Sequence, residues 1–155
     1  MRQDLSQGVT PHSTRVMNLA HLLTESARRL GPVTGFAWGA RSWSWAQMEA
    51  RANAFAQALT TDYGIAKGDR VLVQSANCNQ MFEAMFACWR VGAVWVPANF
   101  RLSPDDLGWL AEASGARFLL CGAPFAEHAR ACDPFVDATI AIGTADFGPD
   151  YETLV

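Results

Sequence analysis

Short apolar runs return along this chain at a nearly constant interval, and that metre restricts the fold more than any other feature. They occupy residues 71–73, 93–96, 118–121 and 139–142. The spacing is roughly 21 to 24 residues, each interval is filled by a helix-period segment, and only parallel neighbours need crossovers of that length. The intervening helices read from about 80 to 91, from a Ser103-Pro104-Asp105-Asp106 start to Gly115, and from 124 to 132. Ser103 serves as N-cap, Pro104 fits the first turn, and the two acids oppose the helix dipole. The expected architecture is α/β: a three-layer sandwich with a mainly parallel βαβαβαβ sheet and right-handed connections. Both faces of the strands are apolar, as a sheet covered by helices on each side requires.

A helix and a β-hairpin precede this unit. Residues 1–16 are polar and aperiodic and read as a flexible leader, leaving 17–155 as one folded region. Leu19, Leu22, Leu23, Ala27 and Leu30 recur at helical spacing, and Gly31-Pro32 is a stop signal. Phe36-Ala37-Trp38 and Arg41-Ser42-Trp43 flank Gly39-Ala40, a two-residue connection with glycine first that predicts a type II′ turn. Ser44 and Gln47 have capping-box spacing. The helix they open places Trp45, Met48, Ala52, Phe55, Ala56 and Leu59 on one face, with Glu49, Arg51 and Gln57 away from it. Gly64 is expected to supply its left-handed terminus.

Several function classes are excluded early. The chain has 12 basic and 15 acidic residues and no basic run, so it lacks the electrostatic footprint of a nucleic-acid binder. Half of its residues are hydrophobic and 17% charged, which rules out disorder. The longest apolar run, 84–89, is far below the ~20 residues of a membrane span. No apolar segment resembling a secretory signal follows Met1, so a cytoplasmic location is expected. Cys78, Cys88, Cys121 and Cys132 form no metal-ligand spacing; Cys88 and Cys121 sit in apolar stretches and are expected to be buried and reduced. His12, His21 and His128 are expected at the surface or at a boundary. The 80–91 helix is apolar nearly all round, with Met81, Phe82, Met85, Phe86, Cys88 and Trp89. Such a ring implies burial on more than one face, or an exposed apolar surface through which copies of the chain pair as a homodimer.

Recognised phosphate motifs are absent. There is no G-x-x-x-x-G-K-[ST] stretch, and the turn after the first run reads Ser75-Ala76-Asn77-Cys78-Asn79 in place of G-x-G-x-x-G. In open parallel sheets ligands bind beyond the carboxyl ends of the strands. The polar residues expected there are Asn77, Asn79, Asn99 and Arg101. Arg101 could hold an anion by charge-assisted hydrogen bonds, while the alternative has Asn77 and Asn99 capping turns and Arg101 solvated.

Taken in order, these segments resemble the AMP-forming acyl-CoA synthetases of the adenylate-forming superfamily. Trp43-Ser44-Trp45-Ala46-Gln47-Met48 with Arg51-Ala52-Asn53 is similar to that family's "T-Y-x-E-L … R-A-N". Gly64-Ile65-Ala66-Lys67-Gly68-Asp69-Arg70-Val71 is similar to "G-V-x-x-G-D-R-V", and Arg90-Val91-Gly92-Ala93-Val94-Trp95-Val96-Pro97-Ala98-Asn99-Phe100-Arg101-Leu102 to "R-x-G-A-V-x-V-P-L-N-P-R-L". Ser114-Gly115-Ala116-Arg117 and Tyr151-Glu152-Thr153-Leu154 continue the match. Phe100 stands where proline is commoner, and Arg101 is retained. The resemblance implies an acid–CoA ligase that activates a fatty or aryl acid with ATP and Mg²⁺ to an acyl-adenylate, then transfers the acyl group to CoA. It also implies a CoA phosphate contact for Arg101. It places the phosphate loop, the acid pocket and the C-terminal lid beyond residue 155, in the remainder of the synthetase. On this view 17–155 is an N-terminal subdomain, inactive alone; the competing expectation is a stand-alone, non-catalytic α/β module.

Overall fold

The computed structural model describes residues 18–155; the leader expected over 1–16, with His12 inside it, lies outside them. The elements follow in chain order: α1 (His21–Leu30), the antiparallel hairpin β1 (Thr34–Trp38) and β2 (Arg41–Ser44), α2 (Trp45–Thr61), then β3 (Arg70–Gln74), α3 (Asn79–Val91), β4 (Val94–Ala98), α4 (Pro104–Ser114), β5 (Ala116–Gly122), α5 (Ala126–Cys132) and β6 (Ala138–Ile142). Short 3₁₀ turns stand at Ala123–Phe125, which takes up the start of the third predicted crossover helix, and at Tyr151–Thr153.

The four metred runs form one parallel sheet in the order β4-β3-β5-β6. Val71 lies opposite Trp95 on one side and Phe118 on the other, so the register carries apolar rows across the sheet. Val71, Val73, Phe118, Leu120 and Ile140 project toward α2 and α3, joined by Phe55, Leu59, Ala84, Ala87 and Cys88. Leu72, Leu119 and Cys121 meet Leu107, Ala111, Ala129 and Cys132 of α4 and α5 on the opposite face. Each large apolar side chain buried fully in this way stabilises the fold by about 1.5–3 kcal/mol. The strands β3 and β5 are central and covered on both faces. As an edge strand β4 is not, and Val94 is left exposed. Pro97, which has no N–H to offer a neighbour, is tolerated there for that reason.

The local signals act as the sequence indicates. Ser44 and Gln47 form a reciprocal capping box on α2, and Ser103 and Asp106 form another on α4. Gly39 has φ +60° while Ala40 keeps a negative φ, the signature of a type II′ turn. Gly64 adopts φ +61° just beyond α2, where a Cβ would be strained.

Two expectations need correction. The α1 stripe does not all face inward. Leu23 is buried, but Leu19, Leu22 and Leu30 are exposed, because only one edge of the helix touches α2. Glu49 and Arg51 do not sit on a solvated face either; both are half-buried in ion pairs with residues of α3. The apolar ring of α3 is explained within the chain. Ala84, Ala87 and Cys88 face the sheet, while Phe86 packs with Leu23, Trp43, Met48 and Ala52 beneath α1 and the hairpin. Helix α1 and the hairpin therefore add a partial fourth layer outside α2 and α3. Asn18 pins its start, donating from Nδ2 to the Trp89 carbonyl at 2.8 Å.

Candidate functional site

The chain direction in the sheet reverses after β4, because β5 returns to the other side of β3. This makes the carboxyl ends of β3 and β5 the topological switch point, where an open α/β sheet offers its ligand crevice. Here the crevice is narrow. Gln74, fully buried, accepts from the Cys121 thiol across it at 3.4 Å. At Gly122 a Cβ would fall 2.9 Å from Ser75 Oγ and 3.1 Å from the Phe125 ring, so a side chain there would crowd both. From beneath, Gln74 Nε2 reaches the Phe100 carbonyl at 3.4 Å and ties the β4–α4 loop to the rim.

The sequence-derived candidates separate at this rim. Arg101 is exposed; its guanidinium lies over the neighbouring Phe100 ring, 5.3 Å from the centroid, and it makes no ion pair with the described residues. A cation stacked on an aromatic and facing solvent is placed to receive an anion. Asn99 is a turn cap, accepting from the Arg101 backbone N–H at 3.0 Å. Asn77 is exposed in the β3–α3 loop. Asn79 is buried and donates to Glu83 at 2.9 Å, so it serves the interior and is not offered to a ligand.

A second constellation on the same side escaped the sequence reading. Arg51 donates to Glu83 from Nε at 2.8 Å and from Nη2 at 3.1 Å, and to Glu152 at 2.8 and 3.0 Å. Gln80 adds a 2.8 Å bond to Glu152. Glu83 has no solvent exposure. Burial opposes the Arg51 charge, but the carboxylates of Glu83 and Glu152 outweigh it and hold the guanidinium more firmly protonated than usual. Partial burial likewise works against the Glu152 charge, and the bonds from Arg51 and Gln80 still bring its carboxyl below the ordinary range. Tyr151 is fully buried against Phe55, and its hydroxyl has no partner in hydrogen-bonding geometry among the described residues. Burial, then the charge of Glu83, pushes the phenol up. An acid inside an otherwise apolar helix was the available signal: Glu83 must be compensated wherever α3 is buried. The network fastens 150–154 to α2 and α3.

No group of three or more His, Cys, Asp or Glu is gathered in metal-binding geometry among the described residues. His128 is half-buried, with Nε2 2.7 Å from the Leu102 carbonyl, and His21 is exposed. All four cysteines are free, and burial pushes the Cys88 and Cys121 thiols up to about 12. No helix among the described residues is long and apolar enough to cross a membrane.

A switch-point rim, an exposed arginine stacked on an aromatic and a sheet wrapped by helices define an open α/β domain with its crevice at the carboxyl ends of the strands. The chain belongs to the AMP-binding enzyme family, whose model matches residues 23–154. It is 37% identical over 95 residues to the long-chain-fatty-acid–CoA ligase FadD13 of Mycobacterium tuberculosis, covering 61% of this chain and 17% of that protein. It is 35% identical over 89 residues to the 3-hydroxybenzoate–CoA ligase of an Aromatoleum species, covering 57% and 17%. Among solved structures, the N-terminal domain of FACL13 from Mycobacterium tuberculosis superposes with a TM-score of 0.77 at 28% identity, over 81% of this chain and 34% of the other. The chain thus spans about a sixth of the length of those two ligases.

Proposed function

We propose that this domain serves an acid–CoA ligase, which joins a fatty or aryl carboxylic acid to AMP at the expense of ATP and then passes the acyl group to CoA. The family match over 23–154 carries this reading, supported by relatives named as long-chain-fatty-acid and hydroxybenzoate CoA ligases. Within the domain, Arg101 contacts a CoA phosphate. The observation favouring it is a guanidinium with no carboxylate partner among the described residues, beyond the carboxyl end of β4 and oriented by Phe100 and the Asn99 turn. The residues that handle ATP and Mg²⁺ are assigned to the remainder of the synthetase, because the sequence has no glycine-rich phosphate loop. The remainder of the synthetase is accordingly its partner, and the cytoplasm its place of work.

The homodimer has weaker grounds: the apolar face of α3 that suggested it is largely covered by α1 and the hairpin. The same covering removes the motive for a stand-alone interaction module.

Two measurements test the proposal. Incubated with ATP, CoA and a panel of fatty and aromatic acids, the 155-residue chain should release no pyrophosphate above background. Titrated with CoA, it should bind through a salt-sensitive contact that Arg101→Ala weakens by roughly tenfold, the worth of a charge-assisted hydrogen bond. Equal CoA binding by R101A would defeat the assignment of Arg101, and pyrophosphate release would place the adenylation machinery inside the chain.

A further inference from the structure

Arg101 stands in a turn whose own residues do little to hold it. The Leu102 N–H donates to the Asn99 carbonyl at 3.1 Å, closing a four-residue turn with Phe100 and Arg101 at its centre. Neither central residue has a positive φ. Proline is favoured at the second position of such a turn because its ring presets φ, and Phe100 brings no such restraint. The guanidinium is therefore aimed only as well as other elements hold the backbone beneath it.

Two ties arrive from outside the turn. Gln74 of β3 donates to the Phe100 carbonyl at a long 3.4 Å. His128 of α5 makes the closer contact, its Nε2 2.7 Å from the Leu102 carbonyl. A carbonyl oxygen only accepts, so Nε2 carries the hydrogen, and Nδ1 of the neutral ring is bare. The imidazole is itself fixed in place. It meets the Phe125 ring edge-on, with centroids 5.4 Å apart and planes at 86°. Phe125 in turn lies close against Gly122, at the carboxyl end of β5. The Leu102 side chain packs on Leu107, Leu119 and Ala129, and the next residue, Ser103, is the N-cap of α4. The bond from His128 thus fixes the point where the turn passes into the helix.

We propose that His128 is a positioning residue for the anion contact of Arg101: by holding the Leu102 carbonyl it keeps the 99–102 turn in the conformation that presents the guanidinium at the rim. This rests on the reading of Arg101 as a CoA phosphate contact. A looser turn carries the same charge, but binding must then order it, and that cost is subtracted from affinity.

The test uses CoA and the 155-residue chain. With the imidazole neutral, nitrogen NMR should find the His128 hydrogen on Nε2; a hydrogen on Nδ1 would remove the bond and overturn the proposal. His128→Phe keeps an aromatic ring beside Phe125 and deletes the donor, and it should weaken CoA binding roughly two- to tenfold, the worth of one hydrogen bond. His128→Gln, whose amide nitrogen reaches the place of Nε2, should restore most of the affinity, and the shorter His128→Asn should not. These two variants carry the test if His128→Phe lowers stability. In an Arg101→Ala background, His128→Phe should have no further effect on CoA binding. A loss of equal size in both backgrounds would make His128 merely structural and overturn the proposal. Full CoA affinity in His128→Phe, while R101A binds weakly, would overturn it too and leave Arg101 its role. If R101A binds CoA as well as the parent chain, the CoA reading itself fails and the role of His128 falls with it.

Discussion

Arg51 and Arg101 fall within two of the chain's most family-like segments, yet their surroundings are opposite. Arg51 is enclosed between α2, α3 and the 151–153 turn, and its donors are spent on two carboxylates. Arg101 has an aromatic face beneath it and water above. A guanidinium with most of its donors committed holds a fold together, whereas one with free donors is available to a ligand. The difference arises from the neighbouring elements. Helix α3 presents a buried acid to Arg51, while the β4–α4 loop has none within reach of Arg101.

The largest expected effect comes from breaking the enclosed pair. Arg51→Ala leaves Glu83 charged and unpaired in the interior, a loss of about 3–5 kcal/mol in urea unfolding. Glu83→Ala should cost a similar amount, and the double variant less than the sum of the two singles. Strictly additive losses would mean that the two side chains do not act as a unit.

Acid should loosen the same network next. The carboxyl of Glu152 lies below its ordinary range when folded, so its contribution is complete above the unfolded-state value near 4.5. That stability is lost as pH falls below 4.5 and through the depressed folded value. Glu152→Gln should flatten the stability profile in this window. An unchanged acid limb would place the sensitivity elsewhere.

Tyr151→Phe is expected to be nearly neutral, within about 1 kcal/mol, because the hydroxyl it removes has no partner among the described residues. A loss above about 2 kcal/mol would show that Tyr151 donates to Glu83 in solution and belongs to the network. Smallest of all, Arg101→Ala should shift stability by less than about 0.5 kcal/mol, the usual range for exposed sites. Its consequence should appear in CoA binding alone. A clearly destabilised R101A would remove the contrast between the two arginines.

The sequence made the periodic parts legible. The strand metre, both serine caps, the Gly39-Ala40 turn and the glycine stops all depend on residues close together in the chain. The position of Arg101 just beyond a strand was also readable. Glu83 was not. Its ion-pair partner Arg51 is 32 residues away, and periodicity placed Arg51 on a face that only tertiary packing covers. Asn79 was misjudged for the same reason, since position after a strand does not reveal whether a side chain turns toward the rim or the interior.

Local pattern therefore determined which segments became helices and strands, because hydrogen bonding, capping and side-chain period act over a few residues. Tertiary structure alone decided the β4-β3-β5-β6 order, the hairpin's seat over α3, and which arginine was paired. Those outcomes depend on burying apolar surface and compensating buried charge between segments far apart in sequence, and no short window of residues contains that information.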